Sequence, residues 1–131
     1  FDTAELYPVP ASADTYATTE VYIGKWFESR KSRDKIILAS KIAGPGDYTA
    51  HIRKTGFKDD SIEAALNQSL KRLKTDYLDL YQLHWPERLS NYFGNRNFKY
   101  FNIFRRIKNN RTFIFIFLHI CGIQGFFFYF I

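Results

Sequence analysis

The chain has 131 residues, a formal net charge of +6, one cysteine (Cys121) and no methionine. A lone cysteine excludes an internal disulfide and fits a reducing, cytoplasmic setting, and the length fits one small domain or part of a larger one. Residues 1–96 carry fourteen Lys/Arg against thirteen Asp/Glu, while 97–131 add five cations and no acid. A nucleic-acid binder spreads its basic residues over a folded face, so charge confined to one end implies no nucleic-acid partner.

The opening FDTAELYPVP mixes acids with prolines and lacks the basic-then-apolar order of a signal peptide. With no initiator methionine ahead of Phe1, processing or truncation is expected to have removed an earlier part. Phe1 to Ala4 read as the end of a strand. A helix is expected over Thr19 to Ser29, with Tyr22, Ile23, Trp26 and Phe27 on one side. Ile36 to Ile42 (IILASKI), closed by Gly44-Pro45-Gly46, suits a strand buried on both faces in a parallel sheet.

Asp60 followed by Ser61-Ile62-Glu63 gives a capping-box pattern for a second helix. Ile62, Ala65, Leu66, Leu70 and Leu73 form its apolar stripe, and Lys71, Arg72 and Lys74 suit its C-terminal end. Asp76 and Asp79 are expected to pair with helix residues such as Arg72. Tyr77 to Trp85 (YLDLYQLHW) is the next strand candidate.

Strand end, helix, strand, helix, strand is the order of a parallel sheet covered by helices. Asp2, Lys41 and His84 fall at the C-terminal strand ends, the rim that carries active sites in a (β/α)8 barrel. Alternation puts Ile37, Ala39 and Lys41 on one face of their strand, and Leu78, Leu80, Gln82 and His84 on one face of theirs. The expected fold is α/β, a partial (β/α)8 TIM barrel covering about strands 2 to 4. A barrel needs about 250 residues and eight such units, and this chain holds fewer than three.

Two domains are expected, at 1–94 and 95–131. The second is an atypical Phe/Ile-rich tail: ten of the fourteen phenylalanines lie in it, beside Ile, Asn, Lys and Tyr. A shift so far from ordinary composition points to a frameshift or read-through in AT-rich DNA. A membrane segment over 112–131, uncharged and preceded by basic residues, is the weaker alternative.

FDTAELY, LASK and LDLYQLHWPER, in this order and spacing, resemble three consecutive signatures of the aldo-keto reductases. YPVP after the first and NYFG after the third are similar to the Tas-type branch of bacterial members. The resemblance covers about residues 1–94 and implies reduction of an aldehyde or ketone by hydride transfer from NADPH. It places the family's catalytic tetrad at Asp2, Tyr7, Lys41 and His84, with His84 and Trp85 as substrate-binding residues. The later strands, which bind the cofactor in the family, have no counterpart here, so no cofactor-binding residue is assigned and activity of these 131 residues alone is not expected.

The chemistry of the four residues agrees with that placement. Carbonyl reduction needs a hydride on carbon and a proton on oxygen; the nicotinamide supplies the first and the protein the second. A phenol is ordinarily too weak an acid for this at neutral pH, and a neighbouring cation favours its phenolate. In the roles that the resemblance implies, Tyr7 would be the proton donor, Lys41 the cation, Asp2 its partner and His84 the group that orients the substrate oxygen. Taken singly, Lys41 reads as a strand-exit residue, His84 as a structural histidine and Tyr7 as one of nine tyrosines.

Tyr48 and Phe93 are further candidates for a substrate pocket, by analogy with the family's loops. Gly44-Pro45-Gly46 reads as a turn rather than a phosphate cradle, and His51 has no second ligand at metal spacing, so no metal is expected. The alternative function is a non-catalytic, shortened binding or membrane-attached module that retains the signature.

Overall fold

The computed structural model describes residues 1–54, 57 and 59–85. Phe93, the tail from 95 and the possible membrane segment at 112–131 lie outside the described residues. Among those described, no helix is long and apolar enough to cross a membrane.

Among the described residues two α-helices and two strands follow one another: α1 (Thr18–Arg30), β1 (Ala39–Ile42), α2 (Asp59–Leu73) and β2 (Leu80–Leu83). The two strands pair in parallel, with Ala39 opposite Leu80 and Lys41 opposite Gln82. On the other side of β1 the chain start runs parallel to it. Asp2 bridges Ala39, Thr3 N–H donates to the Ala39 carbonyl and Glu5 N–H to the Lys41 carbonyl, each at 2.9 Å. Three neighbouring extended segments thus point the same way, each pair joined through a helix, as the sequence pattern requires.

The core lies between this sheet and the helices. Ser40 and Ile42 of β1, and Tyr81 and Leu83 of β2, are buried. Ile42, Tyr81 and Leu83 share one core cluster with Ile62, Ala65, Leu66, Leu70 and Leu73, the whole expected stripe of α2. The opposite sheet face, with Ala39, Lys41, Leu80 and Gln82, is only half-buried. The expectation of a strand buried on both faces is therefore corrected for the described residues: β1 alternates half-buried and buried, because only one side carries helices.

Four further expectations are corrected. Ile37 lies ahead of β1 and is 78% exposed, so it does not share the cover given to Ala39 and Lys41. Leu78 is fully buried with Phe27 and Leu38 in the core and so parts from half-buried Leu80. The Asp79 and Leu80 amides both donate to the Leu38 carbonyl, at 3.0 and 3.2 Å, and the regular ladder starts only after them. Asp60 lies inside α2, which starts at Asp59. The buried residues of α1 are Glu20, Gly24 and Phe27, whereas Tyr22 is 70% exposed.

The reason for that turned face is the contact with α2. A Cβ on Gly24 would lie 2.1 Å from the Arg72 carbonyl oxygen, so the two helix backbones meet at the residue that has no side chain. Beside this contact Arg72 Nε donates to the buried Glu20 carboxylate at 2.7 Å, and the Ser40 hydroxyl meets the other Glu20 oxygen at 2.5 Å. Arg72 is thereby taken by Glu20, and the partner of Asp79 is Arg33 (2.8 Å), whose guanidinium stacks on Tyr77 at 3.8 Å.

Candidate active site

The parallel ladder brings three of the sequence-selected residues to one end of the sheet. Lys41 is the third residue of β1 and His84 follows β2 directly, its amide donating to the Ile42 carbonyl at 3.0 Å. Asp2 lies across from β1 on the far side. Lys41 Nζ donates to Asp2 Oδ1 at 2.6 Å and to the Thr3 carbonyl at 2.9 Å.

Tyr7 reaches the same place through a turn. Its amide donates to the Ala4 carbonyl at 3.0 Å, which folds the chain back over the strand end. The Tyr7 ring then stands edge-on to His84, with centroids 5.6 Å apart and planes at 79°. The Lys41 ammonium lies 5.3 Å from the Tyr7 ring centre, within range of the attraction between a cation and an aromatic ring. All four residues are therefore brought together, from positions as far apart as 2 and 84.

The electrostatics favour a neutral imidazole. Burial, then the Lys41 cation, holds His84 below the ordinary histidine range, against a smaller opposing effect of Asp2. A neutral His carries one donor nitrogen and one acceptor. Nδ1 is buried without a partner among the described residues, and a neutral ring tolerates that better than a charged one.

Trp85 joins the group from the chain after β2. Its ring lies 5.1 Å from that of His84, and its Nε1 donates to the Pro45 carbonyl at 3.3 Å. A Cβ on Gly44 would lie 2.3 Å from that nitrogen. The turn at Gly44-Pro45-Gly46 is therefore a seat for the indole, and glycine is needed there for closeness of approach.

Two other candidates stand apart. Tyr48 is exposed and its hydroxyl accepts the Ala11 amide at 3.1 Å. His51 packs edge-on against Tyr16, and among the described residues no group of side chains could hold a metal ion.

Glu5, which is buried, and Arg53, which is half-buried, form an ion pair at the same rim that escaped the sequence reading. An acid between Ala4 and Leu6 in a strand-end motif was the available signal for Glu5. Nothing near Arg53 in the sequence marks it, since its partner lies 48 residues away.

The family model for the aldo/keto reductase family matches residues 1–111. The chain belongs to that family. It is 48% identical over 101 residues to Protein tas of Escherichia coli, a match covering 76% of this chain and 29% of that protein. To the uncharacterized oxidoreductase YrpG of Bacillus subtilis it is 40% identical over 93 residues, or 67% of this chain and 27% of the relative. The chain thus spans less than a third of the length of either. The resemblance to the Tas-type branch, read from short motifs, holds across most of the chain. Among solved structures, an aldo-keto reductase of the silkworm Bombyx mori superposes with a TM-score of 0.56 at 22% identity, over 88% of this chain and 32% of that one. That likeness is one of fold.

Proposed function

We propose that these residues are the proton-delivering part of a carbonyl reductase, built on strands 2 to 4 of a (β/α)8 barrel, that converts aldehydes or ketones to alcohols. The observation that carries the reading is the placement of Lys41, bonded to Asp2 on one side and facing the Tyr7 ring on the other. A reduced nicotinamide, taken as NADPH, would supply the hydride. A phenol, a fixed cation and a neutral imidazole on one rim suit such a donor, since what they offer is a proton and charge stabilisation. No described residue is assigned to holding the cofactor.

In this reading His84 and Trp85 bound the place of the substrate. The neutral His84 imidazole donates a hydrogen bond to the carbonyl oxygen and turns it toward the Tyr7 hydroxyl. As negative charge develops on that oxygen, Tyr7 transfers its proton, and the Lys41 ammonium favours the phenolate left behind. Preorganised charges of this kind act most strongly where charge appears only in the transition state. Asp2 keeps the ammonium directed, with the Thr3 carbonyl as a second anchor.

The test uses residues 1–94 grafted in place of the matching segment of Protein tas from Escherichia coli. Tyr7→Phe removes the proton donor alone, so carbonyl reduction should be nearly abolished while NADPH binding persists. Activity within about tenfold of the parent, roughly 1.4 kcal/mol in barrier, would overturn the assignment. The 131 residues by themselves should not turn over, and NADPH should produce no saturable change in their fluorescence; micromolar binding would contradict this.

A further inference from the structure

The Glu5–Arg53 pair lies outside the four groups assigned above. Glu5 is 5% exposed. Arg53 Nη2 donates to its two carboxylate oxygens at 3.2 and 2.9 Å, and the Ala43 amide donates to the second of them at 2.9 Å. Arg53 Nε closes the ring by donating to the Ala43 carbonyl at 2.9 Å.

What these bonds hold is the backbone from which the site hangs. Glu5 is a central residue of the turn closed by the Tyr7 amide on the Ala4 carbonyl, and its own amide is bonded to the Lys41 carbonyl. Ala43 lies two residues after Lys41 and directly before Gly44, the seat of the Trp85 indole. One carboxylate and one guanidinium therefore tie the Tyr7 turn to the loop that follows β1.

A buried ion pair is a weak source of stability, because desolvation of both charges opposes their attraction. Its particular capacity is geometric: the planar guanidinium fork sets direction as well as distance. We propose that Glu5 and Arg53 are positioning residues, which fix the Tyr7 turn against the loop after β1 and so keep the Tyr7 ring on His84. The catalytic meaning of this clamp rests on the proposed function; its geometry does not.

The experiment is a histidine titration followed by NMR in the full 131-residue chain with 13C-labelled histidine. His84 is the reporter, since the Tyr7 and Trp85 rings, the Lys41 ammonium and the Asp2 carboxylate face it. Glu5→Gln should release the turn, let water reach the imidazole and move the His84 midpoint up toward the ordinary histidine value, with the rest of the spectrum retained. Arg53→Lys, which keeps the charge and loses the fork, should shift it the same way by less. Asp79→Asn, which removes the acid of a different ion pair, should leave it in place. The clamp is refuted if both rim variants keep the parental midpoint, or if His84 shifts only when the whole spectrum collapses. Should Glu5→Gln unfold the chain, Arg53→Lys decides. The titration reads seating rather than turnover. A normal His84 shift together with an active Tyr7→Phe graft would sink the catalytic reading and leave the clamp standing.

Discussion

Lys41 and Asp2 meet at 2.6 Å although their side chains differ widely in exposure, 13% for the lysine and 64% for the aspartate. An ion pair with one partner in water is screened and contributes little to stability. The bond therefore acts mainly on direction, holding an enclosed ammonium toward the Tyr7 side of the rim.

Asp2→Asn separates these two effects, since it keeps the shape and removes the charge. In the grafted barrel, the stability change should stay within about 0.5 kcal/mol. Turnover should fall by at least about tenfold, and Lys41→Met should cost more. Denaturant midpoints and kcat measured on the same preparations check both. A large loss of stability with kcat unchanged would mean the pair is structural.

The His84 imidazole gives the site a pH dependence of definite sign. Its folded-state affinity for a proton is lowered, chiefly by burial and then by Lys41, so the unfolded chain takes up the proton first, near pH 6.5. The stability contribution is whole above that value and is lost as pH falls through it toward the lower folded-state value. Denaturant midpoints of the grafted barrel, followed from about pH 8 to about pH 5, should decline on this account. His84→Gln should flatten that decline; an unchanged slope would show that His84 is not its source.

Much of this site was legible because a parallel ladder turns sequence spacing into position. Asp2, Lys41 and His84 stand at successive strand ends, and the strands pair in the register that brings those ends together. The apolar stripe of α2 was equally plain, because a single run at helical spacing has one possible inward face. α1 carries aromatics at 22, 26 and 27 and so offers two faces. The choice between them was made by a backbone contact at Gly24, which no apolar count registers. Partner choice was the least legible: Arg72 reaches Glu20, Asp79 reaches Arg33 and Glu5 reaches Arg53, each selected by packing between segments far apart in the chain.

Gly44→Ala should unseat Trp85 without touching the four catalytic candidates. The added Cβ would fall 2.3 Å from Nε1 and 2.6 Å from Cδ1, so the indole must leave the Pro45 carbonyl. With Trp26→Phe as background, the emission of Trp85 should move to longer wavelength as water reaches the ring. The KM for a carbonyl substrate in the grafted barrel should rise several-fold, roughly 1 kcal/mol of lost binding, with a smaller change in kcat. A KM unaltered by a displaced indole would remove Trp85 from the substrate contacts.

Gly24→Ala tests which of two opposed effects governs α1. Alanine is the better helix former by about 1 kcal/mol, and by propensity alone the substitution would stabilise the chain. The new Cβ, however, would lie 2.1 Å from the Arg72 carbonyl oxygen and 2.9 Å from the Leu73 carbonyl carbon. Both are backbone atoms that no rotamer change can move aside, so the helices must separate. Separation stretches the Glu20–Arg72 bond of 2.7 Å and loosens Phe27 from Leu73 in the core. Overpacking of this kind costs about 1–3 kcal/mol, more than propensity returns. The grafted barrel with Gly24→Ala should therefore unfold at lower denaturant, whereas Tyr22→Ala on the exposed side of α1 should change stability by no more than about 0.5 kcal/mol. A Gly24→Ala protein more stable than its parent would mean that the two backbones do not touch at this position.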